Sequence, residues 1–263
     1  GAARGQDAVS GDTDAYRRLA RDYAKWVRHG NADDAPDAVG VYRRVLAAAQ
    51  DRSVTVCTVG YLSNLRRLLE SGADAASSLA GRELVAQKVR VWCCQACKSP
   101  RGKAWNSCHD AVSARVAINT WPTPVVFCDW DYGARVYAGR RLAEMPDGNG
   151  PVRDIFRWML TPRGKCREPV VSGDAQDGHA AWDQVTVLAA VRGVEPMFSS
   201  ERGRFAIVDD EGMDEWTSDA QGRHLRLADG WSKDEVGRVI DDLMCEKPRS
   251  RGVDRGSFAV DWN

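Results

Sequence analysis

An α/β fold is what this 263-residue sequence predicts: a Rossmann-like, mostly parallel sheet flanked by helices, with a C-terminal hairpin and helix. Three observations lead there. The run Ser53-Val-Thr-Val-Cys-Thr-Val59 is β-branched and of strand length, and leucines at helical spacing (Leu65, Leu68, Leu69) follow it closely. The same strand-then-helix order recurs with Val89-Arg-Val-Trp-Cys-Cys94 and residues 110–118, and again with the run 123–128 and the segments beyond it. Strands separated by helices pair in parallel through right-handed crossovers, and a chain of this length can bury one large core.

Taken in order, Tyr16, Leu19, Tyr23, Trp26 and Val27 repeat with helical spacing behind Asp12 or Thr13 as a cap. A second helix opens near Asp34-Ala-Pro36, with proline in its first turn, and carries Val39, Tyr42, Val45, Leu46 and Ala49 on one face. The strand at 53–59 and the helix after it come next, then the strand at 89–94, a long polar loop and the helix at 110–118. Thr123-Pro-Val-Val-Phe-Cys128 is the following strand, with residues 132–141 and 151–160 expected as helices. Residues 204–208 and 213–216 form a hairpin around the acidic turn 209–212. Ser232-Lys-Asp-Glu235 is a capping box opening the last helix through Val236, Val239, Ile240 and Leu243. No internal repeat and no linker interrupts this series, so residues 1–248 read as one domain and 249–263 as a polar tail.

Composition narrows the function. Lysine plus arginine equals aspartate plus glutamate, 37 each, which argues against a globally basic nucleic-acid binder. No stretch reaches the length of a membrane span, and no signal-peptide core opens the sequence, so a cytoplasmic protein with reduced thiols is the expectation.

The most informative residue is Asp183, in Gly178-His179-Ala180-Ala181-Trp182-Asp183-Gln184 before the apolar run 185–191. A carboxylate there sits at the positive end of a helix. It reads either as a helix cap or as a ligand and catalytic group beside Trp182 and His179. Two more loops, 60–64 and 98–110, follow predicted strands, where ligands of parallel sheets bind.

Together these segments resemble the nucleoside hydrolase family, the inosine–uridine-preferring N-ribohydrolases. The resemblance rests on Val59-Gly60-Tyr61-Leu62-Ser63-Asn64-Leu65, on Lys103-Ala104-Trp105-Asn106 followed by Asp110-Ala-Val-Ser-Ala-Arg115, on the strand 123–127 with Tyr132-Gly133, and on Trp182-Asp183. It implies hydrolysis of the N-glycosidic bond of a ribonucleoside, or of another ribosyl small molecule, by a calcium-bound water. Asp183 and the backbone carbonyl of Ser63 are then calcium ligands, Asn106 binds ribose, and Trp105 and Trp182 wall the sugar or base. His179 does not fall on the family's histidine position and is a candidate, on its own chemistry, to protonate the leaving base. The sequence departs from the family in four ways. The first strand and its aspartate cluster have no counterpart, Asp12-Thr13-Asp14 and Asp33-Asp34 being poor substitutes. Ala104 stands for the ribose-binding glutamate, Ala96-Cys97 for a glycine pair, and Trp182 for a histidine.

Two functions of different class follow: a nucleoside N-ribohydrolase using calcium, or a catalytically inactive hydrolase-like domain that acts by binding or protein interaction. The missing strand predicts a rearranged sheet or a partner contact at an open edge, a homo-oligomer included. Eight cysteines remain. Cys94, Cys97, Cys108 and His109 have the ligand types of a zinc site, but loop and buried thiols are the preferred reading and zinc is not expected.

Overall fold

The computed structural model describes residues 13–26, 34–146, 150–160 and 178–246. Val27, Asp12, Asp33, Cys166 and the tail at 249–263 lie outside the described residues. In chain order the elements are α1 (Thr13–Asp22), a 3-10 turn (Ala24–Trp26), α2 (Ala38–Ala48), β1 (Val54–Thr58), α3 (Ser63–Glu70), α4 (Gly81–Lys88), β2 (Val89–Gln95) and β3 (Arg101–Gly102). There follow α5 (Trp105–Cys108), α6 (Ala111–Thr120), β4 (Val125–Cys128), α7 (Trp130–Gly133), β5 (Tyr137–Gly139), α8 (Arg140–Glu144) and α9 (Pro151–Met159). The last are β6 (Gly178–Ala180), α10 (Trp182–Arg192), β7 (Phe198–Ile207), β8 (Asp214–Ser218), β9 (His224–Asp229) and α11 (Lys233–Cys245).

Seven strands form one sheet in the order β1-β2-β4-β9-β7-β8-β3. The pairs β1–β2, β2–β4 and β4–β9 are parallel, and β9–β7, β7–β8 and β3–β8 are antiparallel. Five of the seven strands therefore point the same way, the mostly parallel sheet that the alternating pattern requires. Strand alternation splits the core. Val56, Trp92, Cys94, Val125 and Phe127 pack on one face with leucines and alanines of α3, α4 and α6. Cys93, Val126, Cys128 and Leu227 pack on the other with Val185, Leu188 and Ala189 of α10 and Val236 and Ile240 of α11. No helix among the described residues is long and apolar enough to cross a membrane.

Two features differ from the expected elements. Residues 132–141 are not one helix: the segment breaks into the end of α7, strand β5 and the start of α8. Gly139 causes the break, with φ 95° and a position where a Cβ would lie 2.1 Å from the Phe156 ring. The hairpin of β7 and β8 forms around the acidic turn, but it belongs to the main sheet. What joins it is β9, whose alternation is masked by Arg226, a residue held by ion pairs with Asp129 and Glu201. The first-turn capping box of α11 forms as its sequence predicts, with the Ser232 hydroxyl accepting from Glu235 N and the Glu235 carboxylate accepting from Ser232 N.

Candidate functional site

Because β1, β2 and β4 are parallel, the loops at their carboxyl ends share one rim of the sheet. Strand β1 runs out into Tyr61 and Ser63, β2 into Gln95, and β4 into Asp129 and Trp130. The N-terminus of α10 reaches the same rim: the Trp182 indole N–H donates to the Trp130 carbonyl at 2.9 Å, and the Cys128 thiol lies 3.7 Å from the Trp182 carbonyl. Asp129 is buried and caps α7, accepting from Tyr132 N at 2.8 Å; its other oxygen accepts from the Ser99 hydroxyl at 2.6 Å. That fixes Trp130 opposite Trp182, with ring centroids 6.1 Å apart and the Lys98 ammonium 4.4 Å from the Trp130 ring centroid. His179 of β6 meets the edge of Trp182 at 5.9 Å, and its Nδ1 lies 2.9 Å from the Ala180 carbonyl.

A second group sits on the loop after β2 and on α5. Trp105 donates through its indole N–H to the Tyr61 hydroxyl at 3.1 Å and stacks on His109 at 3.7 Å. Asn106 donates to the Gln95 carbonyl at 2.9 Å and to the Gln95 side-chain oxygen, so its amide N–H groups tie α5 to the end of β2. The loop itself is anchored by Asp214, fully buried on β8, whose carboxylate accepts from Ala104 N at 2.9 Å. Trp105 stays 42% exposed and presents its ring outward.

Asp183 lies in the first turn of α10, two residues beyond the N-cap Ala181, and so is not the cap itself. No hydrogen bond or ion pair to its carboxylate is formed by a described residue. The surrounding protein pushes its pKa up to about 6, although the residue remains open to solvent on its outer side. Helix α10 packs against β1, and burial, with the Asp183 charge second, raises the pKa of the Cys57 thiol there. Ser63 is the first residue of α3, after the N-cap Leu62, and does not cap the helix. Asp183 also borders an open apolar groove of about 470 Å³ along α10 and α11, which none of the other site residues lines.

Sequence reasoning missed Tyr61, Gln95, His109 and Trp130. Asp129-Trp130 directly follows a strand, the position where parallel sheets bind ligands, and that signal was available. His109 was weighed only as a metal ligand.

Calcium takes six to eight oxygen ligands, several of them carboxylates. Among the described residues no group of three or more His, Cys, Asp or Glu is placed to hold a metal ion. Asp183 and the Ser63 carbonyl alone do not make such a set. Of the soft ligands, Cys94 and Cys97 are buried in the core, where burial raises both thiol pKa values, and the Cys108 sulfur on α5 lies 3.3 Å from Nδ1 of its neighbour His109.

No protein-family model matches the sequence, and no curated protein does. Among solved structures the fold is similar to a plant nucleoside hydrolase, with TM-score 0.56 and 12% identity over 80% of this chain and 67% of that one. The inosine–uridine-preferring nucleoside hydrolase of Bacillus anthracis aligns at TM-score 0.47 and 12% identity, over 80% of this chain and 65% of that one. The chain thus spans about two thirds of these neighbours' length, and its likeness to the plant enzyme is one of fold.

Proposed function

We propose that this nucleoside-hydrolase-like fold binds a ribonucleoside or related ribosyl small molecule at the shared rim of β1, β2 and β4, and that the described residues alone do not cleave it. The observation that carries this reading is Asp183, a carboxylate without a hydrogen bond or ion pair among the described residues, at the positive end of α10 and next in sequence to Trp182, which packs near Trp130. A carboxylate accepts the two hydroxyls of a ribose, and bases stack on exposed indole rings such as Trp105. Hydrolysis of an N-glycosidic bond needs an activated water on one side of the sugar and a proton donor on the other. His179 is a candidate donor, whereas Asp129, the buried carboxylate after β4, is already engaged by Tyr132 N, the Ser99 hydroxyl and Arg226. Calcium-assisted hydrolysis is the second reading, favoured by the fold shared with the plant nucleoside hydrolase, but the described residues do not complete a calcium site.

Isothermal calorimetry with inosine, uridine and free ribose, with and without calcium, tests the proposal. Nucleoside binding is expected without calcium, and Asp183→Asn is expected to weaken it by about tenfold, the effect of losing a hydrogen bond to a charged group. No heat with any nucleoside would sink the reading. Release of free base on adding calcium would replace it with the second.

A further inference from the structure

We propose that a small cavity between β7 and the start of β9 is a binding site for a tetrahedral oxyanion, phosphate being the chemical class it fits. The cavity follows from the strand pairing. β7 pairs with β9 over 198–203 and with β8 over 203–207, so beyond Gly203 no described strand lies on the β9 side of β7. Side chains take over the backbone groups there. Phe205 N donates to His224 Nδ1 at 3.0 Å, and Asn119 accepts from Ile207 N at 3.0 Å and donates to the Ile207 carbonyl at 3.2 Å. The gap that remains measures about 110 Å³ and is lined by Asn119, Arg204, Phe205, Ala206, Arg223 and His224. Pockets for organic ligands run to roughly 300–1,000 Å³; this one has the room of about three or four waters.

The side chains that the cavity leaves unsatisfied are donors. His224 is 4% exposed, and because its Nδ1 accepts from Phe205 N, the proton of the neutral ring is on Nε2, which has no hydrogen-bond partner among the described residues. Arg204 and Arg223, both exposed, have neither a hydrogen bond nor an ion pair among the described residues. The antiparallel register that sets Gly203 opposite His224 places these two arginines at the next facing positions, where like charges destabilise a sheet. No acid lines the cavity. Both guanidinium charges reach the imidazole: burial first, then Arg223 and Arg204, lower the His224 pKa to about 4, and no carboxylate works against them. An oxyanion supplies what is missing, a negative charge with several acceptor atoms for the guanidinium N–H groups. Val125 and His224 face each other where the parallel strands β4 and β9 begin, so the cavity lies at the end of the sheet opposite the rim described above. The inference is therefore independent of the ribonucleoside reading.

Calorimetry of the full chain in a buffer free of oxyanions, with sodium chloride at matched ionic strength as the control, tests it. Inorganic phosphate and glycerol phosphate are expected to bind saturably below about 10 mM, the tighter of the two naming the source, a free ion or the phosphoryl group of a larger ligand. Arg204→Gln and Arg223→Gln, both at exposed positions, are each expected to weaken binding by about tenfold, the loss of a hydrogen bond between charged groups. A bound anion also offsets both guanidinium charges, so the His224 ring, followed by NMR, is expected to titrate at higher pH in phosphate than in chloride. No saturable heat with either phosphate, an equal response to chloride, binding unchanged by both substitutions, or a His224 titration indifferent to phosphate would each overturn the proposal.

Discussion

Two buried titratable side chains pull the pH dependence of stability in opposite directions. Burial raises the pKa of Asp214 to about 6, against which its hydrogen bond from Ala104 N works. A carboxyl whose folded pKa lies above its unfolded one stabilises the fold fully below about pH 4, and this contribution is lost as pH rises through 6. His224 is the reverse case: burial lowers its pKa to about 4, and its Nδ1 accepts from Phe205 N at 3.0 Å, which requires the neutral ring. Its contribution is present above pH 6.5 and is lost as pH falls through 4. Asp214→Asn should therefore gain on the parent between pH 4 and 8, by up to about 3 kcal/mol. His224→Gln should flatten the acid limb. Urea titrations across this range measure both; an Asp214→Asn profile parallel to the parent would refute the first. Asp183 was legible as a candidate because a carboxylate before a long apolar run is a local signal. Asp214 was not, since the sequence shows it only as one acid of a hairpin, and its burial comes from the distant loop ending at Ala104.

At the scale of elements, the site depends on how closely α7 approaches α10. Gly133 permits it: a Cβ there would lie 2.4 Å from Trp182 Cδ1 and 2.8 Å from Trp182 Cα. Gly133→Ala is expected to cost about 1–3 kcal/mol, as overpacking does, and to displace Trp182 from Trp130. A lowered Tm with a shifted tryptophan emission would show it, and an unchanged spectrum would argue against the contact. A comparable lock holds α2, where the buried Arg43 pairs with Asp74 at 2.7 Å and donates to Ser71 and to the Ser77 and Leu79 carbonyls. Removing it leaves buried acceptors unpaired, so Arg43→Met is expected to cost about 3 kcal/mol, measurable by chemical denaturation. Elements with strong local codes, the β-branched β1 and the capped α11, were readable in advance. The segment at 132–141 was not, because its helical spacing is overridden by the packing of Phe156 against Gly139.

Across the whole molecule, β1 is the outer strand of the sheet, with no strand on its far side among the described residues. Its Cys57 is exposed, whereas Cys93, Cys94, Cys97 and Cys128 are buried. Alkylation of the native protein followed by mass spectrometry should accordingly modify Cys57 while sparing those four until denaturant is added. Protection of Cys57 would mean that this edge is covered. The arrangement of the far half of the sheet was not legible in the sequence. What the sequence determined by itself was local: hydrophobic period, caps and β-branched runs fix which segments are helices and strands, and their alternation fixes a parallel sheet. Only the tertiary structure decided that β9 enters between β4 and β7, that Asn106 is tied to Gln95, and that no described residue forms a hydrogen bond or ion pair with Asp183. Those outcomes depend on contacts between residues far apart in the chain, and neither periodicity nor spacing along a sequence encodes which distant surfaces meet.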